Sequence, residues 1–206
     1  MDVPTGQSNG RLQICPQPFR PVAYADARRL IIRVGDIGLC RPSSLTGLAI
    51  THATAARYSH ATMIGWAAAD ALMFAETREH NDARLISLSG EIVRWSGYYD
   101  VYRVRQPLFD AEGAWSFMCH AAGAEYGYRN LVRAWARRRI SMRIPPIPNS
   151  NFPQWPRDCS ALVHASIRLH GGPKLKEFDC DVTPENLSDC RYFDYICTLF
   201  SSDEAI

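Results

Sequence analysis

A cysteine stands at the first turn of a predicted helix in the stretch PQWPRDCSALVHASIRLHGG, residues 153–172. Asp158 is a good N-cap, apolar residues from Cys159 onward recur at helical spacing, and Gly171-Gly172 before a proline ends the pattern. The Cys159 sulfur is therefore expected near free backbone N–H groups and the positive end of the helix dipole, which favour a nucleophilic thiolate. The alternative is that Cys159 is one more small buried hydrophobic residue in a chain with seven cysteines.

A thiolate nucleophile needs a base, and the base needs a group that orients it. Of six histidines, His60 is the best placed, because it begins a strand-like run, SHATMIGWA, that is followed by a second run, ALMFAET. A hairpin with a three-residue loop centred on Ala68 places His60 directly opposite Glu76 and Thr62 opposite Phe74, all on one face. A paired carboxylate fixes the imidazole tautomer and raises its basicity. The alternative is a solvated Glu76 and a His60 that bonds only to the backbone.

Two aromatic residues are weaker candidates for substrate contacts. Tyr58 precedes His60 by two residues, and Trp155 lies in the segment IPPIPNSNFPQWP, which immediately precedes the nucleophile. The prolines of that segment exclude regular structure, and we expect it to form one wall of a groove. An equally good interpretation is a surface connection that packs its aromatic side chains.

The rest of the pattern predicts a run of meandering strands with separate helices, which is typical of an α+β domain with an antiparallel sheet. Residues 1–20 are polar and are expected to form an N-terminal arm to a single domain over residues 21–206. Helices are predicted at 24–34, 43–57, 89–96, 111–139 with a break near 126–128, 159–170, and after Thr183-Pro184. Strands are predicted at 36–40, 59–67, 71–77, 84–88, 99–105 and 191–199.

Composition limits the classes of protein that the chain can belong to. A length of 206 residues, with 47% hydrophobic and 21% charged residues, suits one ordinary globular domain. No apolar run approaches the roughly 18 residues of a membrane span, and the N-terminus lacks a secretory signal, so cytoplasmic synthesis is expected. An odd number of scattered cysteines then favours reduced thiols over a disulfide framework. The chain has no Cys-x-x-Cys pair, so neither a metal nor another cofactor is expected.

Six arginines crowd the predicted helical stretch from Arg129 to Arg143. They suit a solvated basic face, which is the commoner case, or a contact with an anionic polymer, a lipid headgroup or an assembly partner. A net charge of only +2 and a single interleaved aromatic residue, Trp135, argue against nucleic acid as a partner.

The residues around Cys159 and His60 resemble two motifs of the NlpC-type cysteine peptidases. DCSALV, residues 158–163, resembles that family's Asp-Cys-Ser-Gly motif, and YSHATMIG, residues 58–65, resembles its Ser-His-Val-Gly-Ile strand, whose histidine is the base. The order is reversed, since the histidine comes first in this chain. That order resembles the circularly permuted, YiiX-like branch of papain-fold hydrolases and, more distantly, the lecithin–retinol acyltransferase group. The sequence departs from the NlpC motifs at Ala161, and at Ala61 and Thr62, where small residues are nevertheless retained.

Further short motifs stand in the order of the YiiX-like branch over residues 33–190. They are a Gly-Asp turn into a strand, Ser-His, a Glu on the next strand, a Tyr-Gly helix, Cys-Ser and a late Thr-Pro. In this chain they are Gly35-Asp36, Ser59-His60, Glu76, Tyr126-Gly127, Cys159-Ser160 and Thr183-Pro184. The resemblance implies a permuted papain-like fold, with Cys159 as nucleophile at a helix N-terminus, His60 as base and Glu76 as the group that orients it.

The resemblance also implies a thiol hydrolase that cleaves an amide bond. A peptidoglycan peptide is the favoured substrate, because the Asp-Cys-Ser motif looks most like that of the wall-cutting enzymes. A thioesterase or acyltransferase for lipid-linked acyl groups is the alternative within enzymes. A papain-like module without catalysis, kept for binding or structure in a particle or other assembly, is the alternative outside them. Without an export signal, a wall enzyme would reach its substrate after lysis, in a virion or through dedicated secretion.

Overall fold

The computed structural model describes residues 20–24, 27, 31–42, 45–54, 56–68, 71–78, 82–94, 98–124 and 158–200. Cys159, His60, Glu76 and Tyr58 all lie in these ranges. The predictions made for Trp155, for the N-terminal arm over residues 1–20 and for the basic stretch from Arg129 to Arg143 concern residues outside them, apart from residue 20.

The described residues form a mixed α+β structure with seven strands. The strands are β1 Pro21–Ala23, β2 Ile37–Cys40, β3 His60–Ala68, β4 Ala71–Arg78, β5 Asp82–Ser87, β6 Tyr99–Val104 and β7 Phe193–Phe200. The α-helices are α1 Leu45–Thr54, α2 Leu88–Arg94, α3 Ala111–His120 and α4 Cys159–Leu169. Two short 3-10 helices follow, η1 Asp179–Asp181 and η2 Pro184–Ser188.

The strands form one sheet in the order β1-β7-β6-β2-β3-β4-β5. The neighbours are antiparallel except for β1, which runs parallel to β7. The predicted α+β class is therefore confirmed, and the antiparallel prediction holds for every pair except the one that includes β1. That strand has only three residues, too few for a period-two pattern to separate it from the polar residues before it.

Each face of the sheet is covered by its own set of residues, because strand side chains alternate with period two. One face carries Ile37 and Met63, which belong to a buried cluster with Leu162 of α4 and Trp115 of α3. The other face carries a second cluster, which includes Leu88 of α2 and the strand residues Cys40, Phe74 and Tyr99. The sheet is thus the central layer, and α3 and α4 lie on one side of it.

The β3–β4 hairpin has a register two residues away from the predicted one. Ile64 lies opposite Phe74, and β3 continues to Ala68, the predicted centre of the loop, with an irregularity just before it. A shift of two residues leaves every side chain on its predicted face, because the side-chain period of a strand is also two. His60 and Glu76 therefore share a face as predicted, but they are diagonal rather than directly opposed neighbours.

Helix α3 ends well before the predicted break near residues 126–128. It is capped at its start by Asp110, whose side chain accepts a hydrogen bond from the Gly113 N–H, and its last residue is His120. Gly123 then adopts a φ of +89°, a conformation that favours glycine. Its N–H donates to the Ala83 carbonyl at 2.7 Å, which ties the chain to β5. The helical pattern of the sequence is therefore overridden by this backbone contact.

The prediction of reduced thiols is wrong for one cysteine of the described ranges. Cys190 is disulfide-bonded. The other cysteines in the described ranges are free, and they are Cys40, Cys119, Cys159, Cys180 and Cys197. No helix within the described part of the chain is long and apolar enough to cross a membrane.

The packing of α3 on β3 gives a stability prediction at Gly65. A Cβ atom added to Gly65 would lie 2.1 Å from the Trp115 ring. We expect Gly65→Ala to lower the free energy of unfolding by about 1–3 kcal/mol, because the ring would have to move within a packed core. Urea denaturation of the purified variant measures the change.

Gly90→Ala is the matched control, because it adds the same methyl group in the α-helix α2. The nearest side-chain atoms to that added Cβ, those of Ser87, lie at 3.9 Å or more. Alanine is also the better helix former, so this variant should gain about 0.5–1 kcal/mol. Equal unfolding midpoints for Gly65→Ala and the wild type would contradict the contact between β3 and α3.

Candidate active site

The nucleophile candidate lies at the N-terminus of α4. Asp158 caps the helix with an extended backbone, and its Oδ1 accepts from the Ala161 N–H at 2.9 Å. Cys159 is the first helical residue and is 7% exposed. The next residue, Ser160, donates through Oγ to the Val182 carbonyl at 2.7 Å. The predicted cap and helix are confirmed, and backbone N–H groups of the first turn have no acceptor within the helix.

The base candidate lies at the first position of β3. The ladder places His60 opposite Cys40 of β2, at one end of the sheet. The Cys159 sulfur lies near enough to the imidazole to raise the pKa of His60. Its Nε2 lies 2.8 Å from Oε2 of Glu76, which leaves Nδ1 for the sulfur. The structure thus brings together the three residues singled out from the sequence, although the predicted register between two of them was wrong.

The charges around His60 determine its protonation. Burial by itself would lower the pKa of His60, but the Cys159 sulfur and the Glu76 carboxylate outweigh burial and raise it to about 10. The imidazole is therefore protonated at neutral pH, with its Nε2–H directed toward Glu76. A cation beside a sulfur stabilises the sulfur as an anion.

The carboxylate of Glu76 is almost fully buried, at 1% exposure. Burial would raise its pKa, but the hydrogen bond from His60 and the charges of Arg78 and Arg84 outweigh it and lower the pKa to about 2. Arg84 donates to Oε1 through Nη2 at 2.8 Å and through Nε at 3.1 Å. Arg78 holds its Nε 3.6 Å from the same oxygen. Glu76 thus stays ionised, with one oxygen for the arginines and one for His60.

Sequence reasoning missed the two arginines. Arg84 lies directly opposite Glu76 in the β4–β5 ladder, and Arg78 follows Glu76 by two residues on the same face. Arg78 also donates to Glu91 of α2 at 2.6 Å, so a second carboxylate shares its charge. The available signal was an arginine at the start of the predicted strand after Glu76, since oppositely charged residues often pair across neighbouring strands.

Tyr58 is buried in the core. Its hydroxyl donates to Asp100 Oδ2 at 2.8 Å and lies 2.8 Å from the Tyr102 hydroxyl. The Arg57 guanidinium lies over the Tyr58 ring, 5.1 Å from the ring centre. These contacts hold the chain just before His60, while the role of Tyr58 in binding substrate stays a prediction.

A second histidine–carboxylate pair lies on α4 itself. His164 is fully buried, and its Nδ1 lies 2.7 Å from Asp179 Oδ1. Its Nε2 accepts from the Leu175 N–H at 3.0 Å. Both ring nitrogens therefore face groups of the chain that follows the helix, and this pair joins α4 to η1.

The site has the parts of nucleophilic catalysis, which are a sulfur, an imidazole in contact with it and a carboxylate that orients the imidazole. Within the described ranges no group of three or more His, Cys, Asp or Glu side chains is arranged to hold a metal ion.

Comparisons with known proteins give a distant likeness among solved structures. The chain matches no protein-family model, and no curated protein sequence matches it. Among solved structures it is similar to the metalloprotein YiiX from Escherichia coli O157:H7, of the family DUF1105. The two chains share 18% sequence identity with a TM-score of 0.49, over 82% of this chain and 98% of YiiX.

The buried carboxylate gives a prediction about stability at acidic pH. The pKa of Glu76 is about 2 in the fold, against an ordinary value of 4.5, so its ionised form stabilises the fold above pH 4.5. That stabilisation is lost as the pH falls from about 4.5 toward 2. Urea denaturation at a series of pH values should show this loss in the wild type relative to Glu76→Gln. In Arg84→Met the loss should be smaller and should be complete at a higher pH, because one of the neighbouring cations is gone and the pKa of Glu76 in the fold lies closer to its ordinary value.

Asp194→Asn is the control for general charge effects. Asp194 forms an ion pair with Arg105, and the two side chains are 49% and 52% exposed. An exposed pair contributes only about 0–1 kcal/mol, so this variant should follow the wild type through the whole series. The same loss of stability at acidic pH in Arg84→Met and in the wild type would contradict the contribution of Arg84 to the pKa of Glu76.

Proposed function

We propose that the chain is a cysteine hydrolase with a permuted papain-like fold, in which Cys159 is the nucleophile, His60 the base and Glu76 the orienting carboxylate. The observation that carries the proposal is the hydrogen bond between His60 and the buried Glu76, with the Cys159 sulfur beside the same imidazole. The three residues come from a helix N-terminus and two adjacent strands, and the order of the motifs, SH before DCS, supports the same assignment.

The proposed reaction proceeds through an acyl-enzyme. The Cys159 thiolate attacks the carbonyl carbon of the substrate, and the carbonyl oxygen takes up the negative charge near the backbone N–H of Cys159. Protonated His60 gives its proton to the leaving amine as the amide bond breaks. His60 then removes a proton from water, the hydroxide attacks the thioester, and the acid product leaves with the thiolate restored. Glu76 keeps the imidazole oriented throughout and stabilises its protonated form.

The favoured substrate is an amide bond in a peptidoglycan peptide, and this choice rests on the resemblance of the DCS motif to the wall-cutting family. The second enzymatic candidate is a thioesterase or acyltransferase on lipid-linked acyl groups, which would use the same acyl-enzyme. The candidate outside enzymes is a binding or structural module in a larger assembly. Incubation with purified peptidoglycan and with acyl thioesters, each with Cys159→Ser as control, distinguishes these three candidates.

Alkylation of Cys159 tests the proposal without a known substrate. Because His60 has a pKa of about 10, a cation is present beside the sulfur at pH 6.5, and we expect iodoacetamide to modify Cys159 there. In His60→Ala the rate should fall on the order of ten-fold or more, since an ordinary thiol of pKa about 8.5 is only about 1% ionised at that pH. Mass spectrometry of peptides measures the rate, and Glu76→Ala should show a smaller decrease.

The half-buried thiols of Cys119 and Cys180 are internal references in the same sample. Burial raises the pKa of Cys119, so it should react slowly at pH 6.5 in every variant. A Cys159 that reacts no faster than these two residues, or equally fast with and without His60, would overturn the hydrolase proposal.

A further inference from the structure

The 3-10 helix η2 connects the two halves of the candidate site. Cys159 and His60 are far apart in the sequence, and the elements that carry them meet only in the fold. Residues from 182 to 188 contact both sides, on one side through Ser160, which follows the nucleophile, and on the other through Arg57, which precedes the base by three residues. The contacts of this segment therefore bear on the distance between the sulfur and the imidazole.

On the side of the nucleophile, the contact is made by the residues that lead into η2. Ser160 Oγ donates to the Val182 carbonyl at 2.7 Å. The next residue, Thr183, caps η2 through a reciprocal capping box with Asn186, whose Oδ1 accepts from the Thr183 N–H at 2.9 Å. Pro184 follows at the first helical position, where its fixed φ favours the helix. The start of η2 is thus held against the first turn of α4.

On the side of the base, the carboxylate of Glu185 accepts hydrogen bonds from both the main chain and the side chain of Arg57. Glu185 is 5% exposed, and its Oε2 accepts from the Arg57 backbone N–H at 2.6 Å. Its Oε1 accepts from Arg57 Nε at 2.8 Å, and Arg57 Nη2 donates to Ser188 Oγ at 3.3 Å. Main chain and side chain of Arg57 are therefore both bound to η2. Because Arg57 is followed by the anchored Tyr58, the backbone has little freedom before His60.

This pair differs from an ordinary surface ion pair. Arg57 is about half exposed, whereas the Glu185 carboxylate is buried and would be costly to leave without donors. In the pair of Arg105 and Asp194 both side chains are about half exposed. A buried carboxylate that binds a backbone N–H restricts the backbone, whereas an exposed pair restricts only two side chains.

We propose that Arg57 and Glu185 are positioning residues, which fix His60 relative to Cys159 by fastening the chain before the base to η2, which packs against the helix of the nucleophile. This inference rests on the proposed function, and it adds two residues that act through His60 and not on the substrate. Misplacement of reacting groups by about 1 Å can cost on the order of 100-fold in rate, so a modest shift of the β3 start would be measurable.

The test is the alkylation rate of Cys159 at pH 6.5 in the full chain. Glu185→Ala should lower it on the order of ten-fold while the rates at Cys119 and Cys180 stay unchanged, because the effect is confined to the site. Glu185→Gln keeps one acceptor oxygen and should recover part of the rate. In a His60→Ala background, Glu185→Ala should have no further effect, which distinguishes positioning of His60 from a general loss of structure. Asp194→Ala, the same change in an exposed pair, should match the wild type.

The outcomes separate the two proposals. A wild-type Cys159 no more reactive than Cys119 overturns the hydrolase proposal and the positioning role together. A reactive wild-type Cys159 whose rate is the same in Glu185→Ala overturns the positioning role alone, since packing of α4 on the sheet would then suffice. If Glu185→Ala does not fold, Arg57→Lys decides, because it keeps the charge and the backbone bond but loses the paired donors. A wild-type rate in that variant also overturns the role of the Arg57 side chain.

Discussion

The burial of one ionised carboxylate, Glu76, constrains much of this molecule. A buried charge is tolerated only when donors surround it, and Glu76 has His60 on one oxygen and Arg84 and Arg78 on the other. To supply these donors, β3, β4 and β5 must pair in one register. Arg78 also donates to Glu91 of α2, which joins this helix to the same group of charges. Together with the Cys159 sulfur, the same charge raises the pKa of His60, so the requirement that stabilises the sheet end also contributes to the protonation of the candidate base.

Much of the fold and the central site residues could be predicted from local patterns. Strand alternation and the motif residues identified Cys159, His60 and Glu76, and the cap at Asp158 is a signal contained in four consecutive residues. The His60–Glu76 contact survived a register error because the error was an even number of residues. An error of one residue would have placed the two side chains on opposite faces, so the success depended on periodicity and not on the predicted loop.

What could not be predicted depends on contacts between distant segments. Arg84 reaches Glu76 only through the β4–β5 register, and Arg57 meets Glu185 across 128 residues of sequence. Helix α3 ends early because the backbone of Gly123 is hydrogen-bonded to β5, and helix propensities carry no information about such a contact between distant segments. The disulfide at Cys190 likewise depends on the folded chain, whereas the expectation of reduced thiols came from composition alone.

The order of the strands has a consequence for how the site forms in time. His60, Glu76 and Arg84 all lie in the meander β3-β4-β5, whose neighbours are consecutive in the chain. Such local pairs close short loops and form quickly, whereas β2–β6 and β1–β7 join distant segments and pay more loop entropy. The charged half of the site can therefore be assembled while Cys159 is still far away. When these strands pair before α4 docks, the thiol meets a histidine that is already in position, and a gain in the reactivity of Cys159 would then report the docking of α4.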